Sequence, residues 1–504
     1  MGGGSTLVPA NAFKRGGKEI LFKYRWFMIG ADINVDEASR IKDVEKVNFL
    51  LSLLGRKRTV STRESNSTDY QYENMLQLVE NYKNRINFYN DDDTNTVTIK
   101  DQKNVENSCH EIYASYVNDD NNNDFPKLAK REHLHFLSKS FKTEFPGSYV
   151  VLDSSQTWIL YWIANALMLL GVELEEEKEQ IAKKVLVAQN NQYGGIGGGE
   201  GQLGHIASTY SALLVFSYSE NKDFWSQIDR KKMYHWMMTD LKQPNGSFAM
   251  HKGGEVDTRA VYCALTVASM LNIMTPELIE GTAEWLGKCQ TLEGGFGGSP
   301  SLEAHGGYSF CAVASLCLLG DPKTMLSKYC NLPNLIKWSV DRQGGIEGGF
   351  SGRSNKLVDG CYSHWIGGIF PFLEAAIQND NNDSFKGLFN RNGLSNYILG
   401  CCQDIEGGGL FDKPGCRPDF YHTNYTLVGL SHCQHQYSFD YKKYELLKDK
   451  CLDAAAYCYD VKMLKDDSVI EFCKENMLRP INPVFGAVNG YVEAMRQFYF
   501  DSSE

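Results

Sequence analysis

The stretch that decides the fold reads Gln290-Thr291-Leu292-Glu293-Gly294-Gly295-Phe296-Gly297-Gly298. Related glycine phrases recur at Tyr193–Gly198, Gln243–Phe248, Glu347–Phe350 and Gln403–Leu410. The first glycines of the five copies, at positions 194, 246, 294, 348 and 407, are separated by 48 to 59 residues. A recurrence at this interval is typical of stacked supersecondary units, none of which is stable alone.

An apolar segment of helical length follows each glycine phrase. These segments carry an aromatic residue near their start, at Tyr210, Tyr262, Tyr308, Tyr362 and Tyr425, and a sixth apolar segment runs from Trp158 to Leu170. They are apolar on nearly every side, which is typical of buried helices, whereas intervening segments such as Thr275–Gln290 are amphipathic. The alternation predicts an all-α fold: an α/α barrel (toroid) of about six helical-hairpin repeats with Gly-rich turns. An open solenoid is the alternative, but solenoid helices would keep a polar face.

The composition agrees with this fold and excludes several functions. Glycine accounts for 46 of 504 residues, a surplus that the repeats explain. The net charge of −11 argues against nucleic acid as the main ligand, because phosphate binding needs a basic face. The 14 cysteines lack the paired spacing of zinc modules and no secretory signal precedes them, so we expect a cytoplasmic protein with reduced thiols. No run of eighteen apolar residues occurs, and we expect no transmembrane segment.

The chain divides into two parts at the sequence level. Residues 98–504 are predicted to form the barrel domain. Residues 1–97 are predicted to be an N-terminal extension, partly helical or disordered and of unknown function. Two tracts rich in Asn and Asp, Asn90–Asn95 and Asn118–Asp124, are typical of solvated loops.

Polar residues precede the repeated aromatics in every repeat, so they should converge on one rim of the barrel, where the inner helices begin. Three of them, Asp359, Cys361 and His422, offer a carboxylate, a thiolate and an imidazole in adjacent repeats. Three such ligands with a fourth position open are typical of a catalytic zinc site. Each of the three alone would more often be a packing residue, but their common register favours zinc.

The same rim collects cations and aromatic residues. The cations are His305, Arg353, Lys356 and Arg259, with Tyr362 as a further donor. Cations at helix starts favour a phosphate-like anion. Trp158, Trp162, Tyr210 and Tyr262 would line the barrel wall and suit a long apolar chain, although spacing alone is better explained by core packing.

Several long strings together resemble one known family. They are Gly254–Cys263, Glu303–Tyr308, Gly352–Tyr362, Leu410–Gly415 and Asp419–Thr423. In this order they are similar to the β subunits of protein farnesyltransferases, over roughly Thr98 to the C-terminus and including Asn482-Pro483-Val484-Phe485. The resemblance implies zinc-dependent transfer of a farnesyl group from farnesyl diphosphate to the cysteine of a C-terminal CaaX motif. It also implies an obligate heterodimer with an α subunit, and CaaX-terminated substrates such as small GTPases.

The resemblance also implies a role for each matching residue. Asp359, Cys361 and His422 would hold one catalytic Zn²⁺. The catalytic residues at the diphosphate would be His305, Arg353, Lys356 and Tyr362. The isoprenoid would lie against Trp158, Tyr210, Arg259, Tyr262 and Trp365, and the peptide against Trp162, His205, Ala207 and Tyr421. Asp412 matches a carboxylate that would hold Mg²⁺ on the diphosphate.

Three alternatives to this function stay open. The β subunit of type I geranylgeranyltransferase shares the barrel and the zinc but takes a twenty-carbon donor; the bulk of Trp158 and the identity of Asp412 favour farnesyl. A terpene cyclase has a related barrel, but its DxDD proton donor is absent here. A non-catalytic α/α toroid that binds partners would not bring the three zinc ligands together.

Ser154 and Ser208 depart from the family pattern in the pocket for the last peptide residue, so the preference there is open.

Overall fold

The computed structural model describes residues 96–117, 126–142, 147–378, 387–464 and 476–502. The predicted N-terminal extension, residues 1–97, lies almost wholly outside these ranges, and so does the tract Asn118–Asp124. Their assignments therefore stay predictions.

The described residues are mainly helical. In chain order the helices are α1 Val97–Val117, α2 Lys130–Lys142, α3 Gln156–Leu169, α4 Lys178–Ala188, α5 Ile206–Ser217, α6 Lys222–Trp225, α7 Arg230–Trp236, α8 Thr258–Met270, α9 Pro276–Ile279, α10 Thr282–Lys288, α11 Gly306–Leu319, α12 Pro322–Tyr329, α13 Leu332–Val340, α14 Tyr362–Trp365, α15 Phe370–Ile377, α16 Arg391–Cys401, α17 Phe420–Gln434, α18 Tyr441–Leu447 and α19 Tyr491–Asp501. Two antiparallel pairs of strands join them, β1 His435–Phe439 with β2 Tyr459–Met463, and β3 Ile481–Asn482 with β4 Ala487–Val488. None of the helices in the described ranges combines the length and the apolar character needed to cross a membrane.

Six inner helices form a closed ring. Helices α3, α5, α8, α11, α14 and α17 each pack against the next, and α17 packs against α3. The burial follows from the sequence: in α5, every residue except Ala207 is buried. A helix that is apolar all round needs partners on every side, and the ring provides them. The predicted α/α barrel is confirmed.

One inner helix differs from its predicted form. The segment after Tyr362 was expected to be a single helix, but α14 ends at Trp365, a 3₁₀ turn follows at Gly367–Ile369, and α15 begins at Phe370. The Gly367-Gly368 pair weakens the helix, and Pro371 has no backbone N–H for a continuous helical hydrogen-bond pattern.

Each glycine phrase folds into a tight turn. Antiparallel bridges close the five turns, pairing Gln189 with Ile196, Lys242 with Phe248, Gln290 with Phe296, Gln343 with Phe350 and Gln403 with Leu410. Two residues before the apolar end of each turn, a glycine has positive φ: Gly194, Gly246, Gly294, Gly348 and Gly408. Glycine is the residue that adopts this conformation without steric cost. In the fifth turn the equivalent residue is Gly408, one position after the glycine at which the sequence spacing is measured.

The turns also touch the next outer helix at a distance that excludes side chains. A Cβ at Gly294 would lie 2.1 Å from the carbonyl oxygen of Asn334 in α13. A Cβ at Gly408 would lie 2.2 Å from the carbonyl oxygen of Glu132 in α2. The last turn therefore packs on the first outer helix of the barrel, which closes the outer ring as well as the inner one.

The first repeat has no glycine phrase. A 3₁₀ segment, Gly147–Ser155, stands between α2 and α3 instead. A cavity of about 600 Å³ lies here, lined among others by Phe141, Leu152, Ile163 and Val187. None of the predicted site residues lines it.

The β3–β4 hairpin enters the barrel from the C-terminal ends of the inner helices. The backbone N–H of Arg479 donates to the carbonyl of Leu169 at 3.0 Å, and the N–H of Val488 donates to the Tyr218 hydroxyl at 3.1 Å. Residues 481–488 are all buried. We call residues 481–488 the C-terminal plug.

We expect Gly294→Ala to destabilise the protein by about 2 to 4 kcal/mol, because the methyl group meets the Asn334 carbonyl while the residue keeps a positive φ. The matched control is Gly201→Ala, which also has a positive φ but open space around the new Cβ, and which should cost about 1 kcal/mol. Thermal unfolding midpoints compare the two. Equal losses would show that packing against α13 contributes nothing.

Candidate active site

The glycine turns position the starts of the inner helices. A backbone N–H just before the helix donates to the carbonyl of the apolar turn residue, from His205 to Ile196, His305 to Phe296, Asp359 to Phe350 and Asp419 to Leu410. Four side chains then cap the helices by accepting a backbone N–H: His205, Asp257, His305 and Asp419. A repeated turn thereby brings a polar side chain to the same rim in successive repeats.

The three predicted metal ligands come together on this rim. One donor atom from each of Asp359, Cys361 and His422 lies within 4.8 Å of the other two. His422 Nε2 is 3.3 Å from Asp359 Oδ1. Cys361 stands at the N-terminus of α14 and His422 in the first turn of α17. Nitrogen, oxygen and sulfur donors at this separation fit a single metal ion.

Asp419 orients one of these ligands. Its Oδ2 lies 2.7 Å from His422 Nδ1, and its Oδ1 accepts the His422 backbone N–H at 2.8 Å. The carboxylate fixes the imidazole and leaves Nε2 directed to Asp359 and Cys361. Asp419 had no predicted role. The signal that could have found it is an aspartate at a helix N-cap three residues before a ligand histidine.

Without metal, the pKa values of His422 and Cys361 depend on burial and on the neighbouring carboxylates. Burial lowers the pKa of His422, but hydrogen bonds to Asp359 and Asp419 outweigh burial and raise the pKa to about 9. Burial raises the pKa of the Cys361 thiol, and the Asp359 carboxylate raises it further. At neutral pH the imidazole and the thiol therefore both carry protons. A metal ion displaces these protons when it binds, so metal affinity increases with pH.

A second group of rim residues lies at α11 and α14. The Tyr362 hydroxyl is 3.0 Å from His305 Nε2. His305 Nδ1 accepts the Gly307 N–H at 3.1 Å, so the ring proton is on Nε2. Burial lowers the pKa of His305, and the charge of Arg353 lowers it further. The structure therefore joins His305 and Tyr362 as neutral hydrogen-bond donors beside a guanidinium.

Two of the predicted cations, Arg353 and Arg259, have acidic partners in this state. Arg353 Nη1 lies 2.6 Å from Glu303 Oε2, and Arg259 Nη2 lies 2.6 Å from Asp257 Oδ2. Lys356 is exposed and makes no ion pair within the described residues. The two acidic partners had no predicted role. The exposed pair of Arg353 and Glu303 contributes only ~0 to 1 kcal/mol, so an incoming anion can exchange with the Glu303 carboxylate. Asp257 is buried and also caps α8, so the Arg259 pair is held more firmly.

The backbone of Asp412 is hydrogen-bonded to the segment that carries the candidate metal ligands Asp359 and Cys361. Its carbonyl accepts the Gly360 N–H at 2.6 Å and the Tyr397 hydroxyl at 2.7 Å. Its carboxylate forms an ion pair with the neighbouring Lys413. The magnesium role of Asp412 stays a prediction.

Aromatic side chains from all six inner helices form a continuous ring around the barrel interior, which we call the aromatic ring. Neighbouring ring centroids are 4.6 to 5.9 Å apart. In order, the members are Trp158, Tyr210, Tyr262, Phe310, Trp365, Tyr425, Tyr421 and Trp162. The predicted wall residues are all included, and the structure adds Phe310 and Tyr425. Such a wall is suited to an apolar ligand.

The sequence pattern selected a different aromatic in α11. Tyr308 was identified with the repeated aromatic position, but its ring packs against the Arg259 guanidinium at 5.5 Å. Phe310 takes the wall position instead, because it stands four residues after the start of its helix. Tyr210 and Tyr262 stand at the same distance from the starts of theirs. Counting from the predicted helix start could have found it.

The predicted peptide residues divide into two pairs. Trp162 and Tyr421 pack edge to face at 5.5 Å, and the Tyr421 hydroxyl accepts from Trp365 Nε1 at 2.9 Å. Tyr421 also hydrogen-bonds the Cys361 thiol. His205 and Ala207 begin α5, where the His205 ring packs against His251 at 5.5 Å. The structure thus links the first pair to the metal ligands and places the second pair elsewhere on the rim.

Comparisons with known proteins agree with this geometry. The family described as "Prenyltransferase alpha-alpha toroid domain" matches residues 128–487. The protein farnesyltransferase subunit beta of Pyricularia oryzae is 40% identical over 332 residues, which cover 62% of this chain and 64% of that protein. The corresponding subunit of Saccharomyces cerevisiae is 41% identical over 402 residues, which cover 79% of this chain and 86% of that protein.

A solved structure shares the fold. The Candida albicans protein geranylgeranyltransferase-I complexed with GGPP matches with a TM-score of 0.55 and 21% identity, over 75% of this chain and 100% of that one. At this identity the likeness concerns the architecture of the barrel.

We expect the purified protein to contain about one equivalent of divalent metal per chain, and Cys361→Ala to lose it because the sulfur donor is removed. Cys416→Ala is the matched control, since Cys416 is an exposed thiol that does not belong to the ligand group. Elemental analysis of the two variants decides the assignment. Metal retained by Cys361→Ala would contradict it.

Proposed function

The chain belongs to the family of protein farnesyltransferase β subunits, and we propose that it is the catalytic β subunit of a zinc-dependent protein farnesyltransferase. Such an enzyme transfers the farnesyl group of farnesyl diphosphate to the cysteine thiol of a C-terminal CaaX motif. The observation that carries the proposal is the convergence of Asp359, Cys361 and His422 on a rim that also bears cations and opens on the aromatic ring.

Asp359, Cys361 and His422 would hold the zinc ion, with Asp419 keeping the imidazole in place. Zinc bound there lowers the pKa of the substrate thiol, so that a thiolate is present at neutral pH. The chain's own contribution is a donor set already assembled from two repeats, which needs no rearrangement of the backbone. A magnesium ion at Asp412 is a further part of the proposal.

His305, Arg353, Lys356 and Tyr362 would bind the diphosphate. The substrate thiolate attacks the first carbon of the farnesyl chain, a thioether bond forms, and the allylic C–O bond breaks with the electron pair leaving on the diphosphate. The fixed donors stabilise the charge that develops on the leaving group. Arg259 and Arg353 would exchange their carboxylate partners for phosphate oxygens, which accept bidentate hydrogen bonds equally well.

The isoprenoid would lie against Trp158, Tyr210, Tyr262 and Trp365 of the aromatic ring. Trp158 and Trp162 are half-buried, whereas Tyr210 and Tyr262 are 5% and 2% exposed. Bulky side chains across the barrel limit the length of the bound chain. The wall therefore supports a fifteen-carbon donor over the twenty-carbon donor of the sister enzyme.

The proposed partners are an α subunit, with which the chain would form an obligate heterodimer, and proteins that end in a CaaX motif, for which Trp162, His205, Ala207 and Tyr421 would form the binding surface. The cytoplasmic location expected from the sequence stays a prediction.

Co-expression with a farnesyltransferase α subunit tests the function directly. Assays with farnesyl and geranylgeranyl diphosphate on CaaX peptides should show farnesyl transfer that requires both subunits and is lost on removal of zinc. Full activity of the chain alone would contradict the heterodimer. A preference for the longer donor would identify the chain as a type I geranylgeranyltransferase subunit.

We expect Trp158→Thr to shift the ratio of kcat/KM values toward geranylgeranyl diphosphate by about ten-fold or more, because the smaller side chain lengthens the apolar pocket. Trp158→Phe is the control, since it keeps an aromatic side chain at the wall and should keep the farnesyl preference. The heterodimer assay with both donors measures the ratio. An unchanged ratio in Trp158→Thr would remove Trp158 from the set of residues that limit donor length.

A further inference from the structure

The C-terminal plug holds three tyrosines of the inner helices by their hydroxyl groups. Tyr161 donates to the Gly486 carbonyl at 3.1 Å, Tyr210 to the Phe485 carbonyl at 2.8 Å, and Tyr262 to the Val484 carbonyl at 2.7 Å. The Tyr210 and Tyr262 hydroxyls are also 3.0 Å from each other. Three consecutive carbonyls of the plug thus bind side chains from α3, α5 and α8.

Two of these tyrosines belong to the aromatic ring. The third, Tyr161, packs edge to face against Trp158 at 6.2 Å. The Val484 and Phe485 side chains behind them are fully buried. A buried carbonyl that loses its donor is costly, so the plug and the tyrosine rings move together. The position of the plug therefore determines the depth of the space that the aromatic ring encloses.

Asn482 fixes the shape of the plug. Its side-chain oxygen accepts the Val484 N–H at 2.9 Å, and its backbone carbonyl accepts the Gly486 N–H at 2.9 Å. Its amide nitrogen donates to the Ala456 carbonyl at 3.1 Å and to Glu493 Oε1 at 2.9 Å. One buried side chain thus connects the turn of the plug to the 3₁₀ turn Ala454–Tyr457 and to helix α19.

The support behind Asn482 is itself anchored to the barrel. Asp453 forms a buried ion pair with Arg496 of α19 at 2.9 Å and accepts the Ser269 hydroxyl of α8 at 2.8 Å. The Tyr457 ring packs against Phe485 at 5.8 Å. These contacts fix Ala456 and Glu493, the two partners of the Asn482 amide, relative to α8, the helix that carries Tyr262.

We propose that Asn482 is a positioning residue that sets the length of the isoprenoid pocket and so contributes to the choice between fifteen- and twenty-carbon donors. It acts through the plug, whose carbonyls hold Tyr210 and Tyr262 in place. Without its side chain, the Val484 N–H loses its acceptor and the turn loses its link to Ala456. The carbonyls then move away from the barrel interior, the bound tyrosine rings follow them, and the pocket deepens. This inference rests on the proposed function.

The test uses the heterodimer with Asn482→Ala and, as the matched control, Asn489→Ala. Asn489 follows β4 and its side chain makes no hydrogen bond within the described residues, while its backbone N–H keeps its bond to the Pro480 carbonyl. We expect Asn482→Ala to shift the kcat/KM ratio toward geranylgeranyl diphosphate by about ten-fold, the scale that a small enlargement of an apolar pocket gives. The KM for the CaaX peptide and the bound metal should not change, and Asn489→Ala should behave as wild type.

A loss of activity that is equal for both donors would overturn the proposal, because it would show a general structural role. The same shift in Asn489→Ala would overturn it as well. Should Asn482→Ala fail to fold, Glu493→Ala removes one of the two acceptors of the Asn482 amide and leaves the bonds of Asn482 to Val484 and Ala456, and a smaller shift in the same direction is expected. Faster hydrogen exchange at the Val484 and Gly486 amides of that variant would report the loosened plug, and unchanged exchange with an unchanged ratio would refute it.

Failure of the proposed function can be distinguished from failure of this inference. A wild-type heterodimer that transfers neither donor refutes the function. The binding of farnesyl and geranylgeranyl diphosphate, followed by quenching of tryptophan fluorescence, then decides the inference: a changed ratio of affinities in Asn482→Ala supports it, and an unchanged ratio overturns it.

Discussion

Close contact between each glycine turn and the next outer helix is the constraint on which the barrel depends. At Gly294 and Gly408 a methyl group would approach a backbone carbonyl to 2.1 and 2.2 Å, and both residues have a positive φ. The close approach to the carbonyl sets the distance between successive repeats, and the positive φ sets the direction in which the chain leaves the turn. Because the fifth turn packs on α2, the contact that sets the spacing of the repeats also joins the last repeat to the first. The result is a closed ring instead of an open superhelix.

The chemistry depends on this constraint through the backbone. The carbonyl of Phe350 accepts the N–H of Asp359, and the carbonyl of Leu410 accepts the N–H of Asp419. Equivalent hydrogen bonds in successive turns thus fix Asp359, a candidate metal ligand, and Asp419, which orients the candidate ligand His422. Donors from two repeats come within 4.8 Å of one another without a dedicated loop, since the repeat supplies the same geometry twice. The side chains at this position differ from repeat to repeat, whereas four of the five turns share the same backbone hydrogen bond.

The repeat made the fold and much of the site predictable from the sequence, because glycine spacing and buried helices leave a strong periodic signal. The three candidate metal ligands followed, since they stand within three residues of the same register position in adjacent repeats. Contacts that do not repeat were not predictable. One such contact, between two repeats, is that of Tyr308 with Arg259, whereas the wall position of Phe310 follows from its place four residues after the start of α11. The interruption of α14 at Gly367, Gly368 and Pro371 is a local departure from the repeat. The carbonyls of the C-terminal plug bind Tyr210 and Tyr262 across more than 200 positions of sequence, and no local pattern predicts such a pairing.

The charges of the rim are compatible with the anionic substrate of the proposed function, although the chain as a whole is acidic. The chain carries a net charge of −11, yet Arg259 and Arg353 lie beside helix starts whose backbone dipoles also favour anions. Asp257 and Glu303 occupy them in this state, and both carboxylates come from the chain itself. Each carboxylate holds its guanidinium in an ion pair, so part of the ordering entropy of the long side chain is already lost in this state. A diphosphate carries more charge than either carboxylate, and in the proposed function this charge would favour the exchange. In the proposed reaction, release of the diphosphate would return the arginines to their carboxylates, so the rim would regain its resting charge balance.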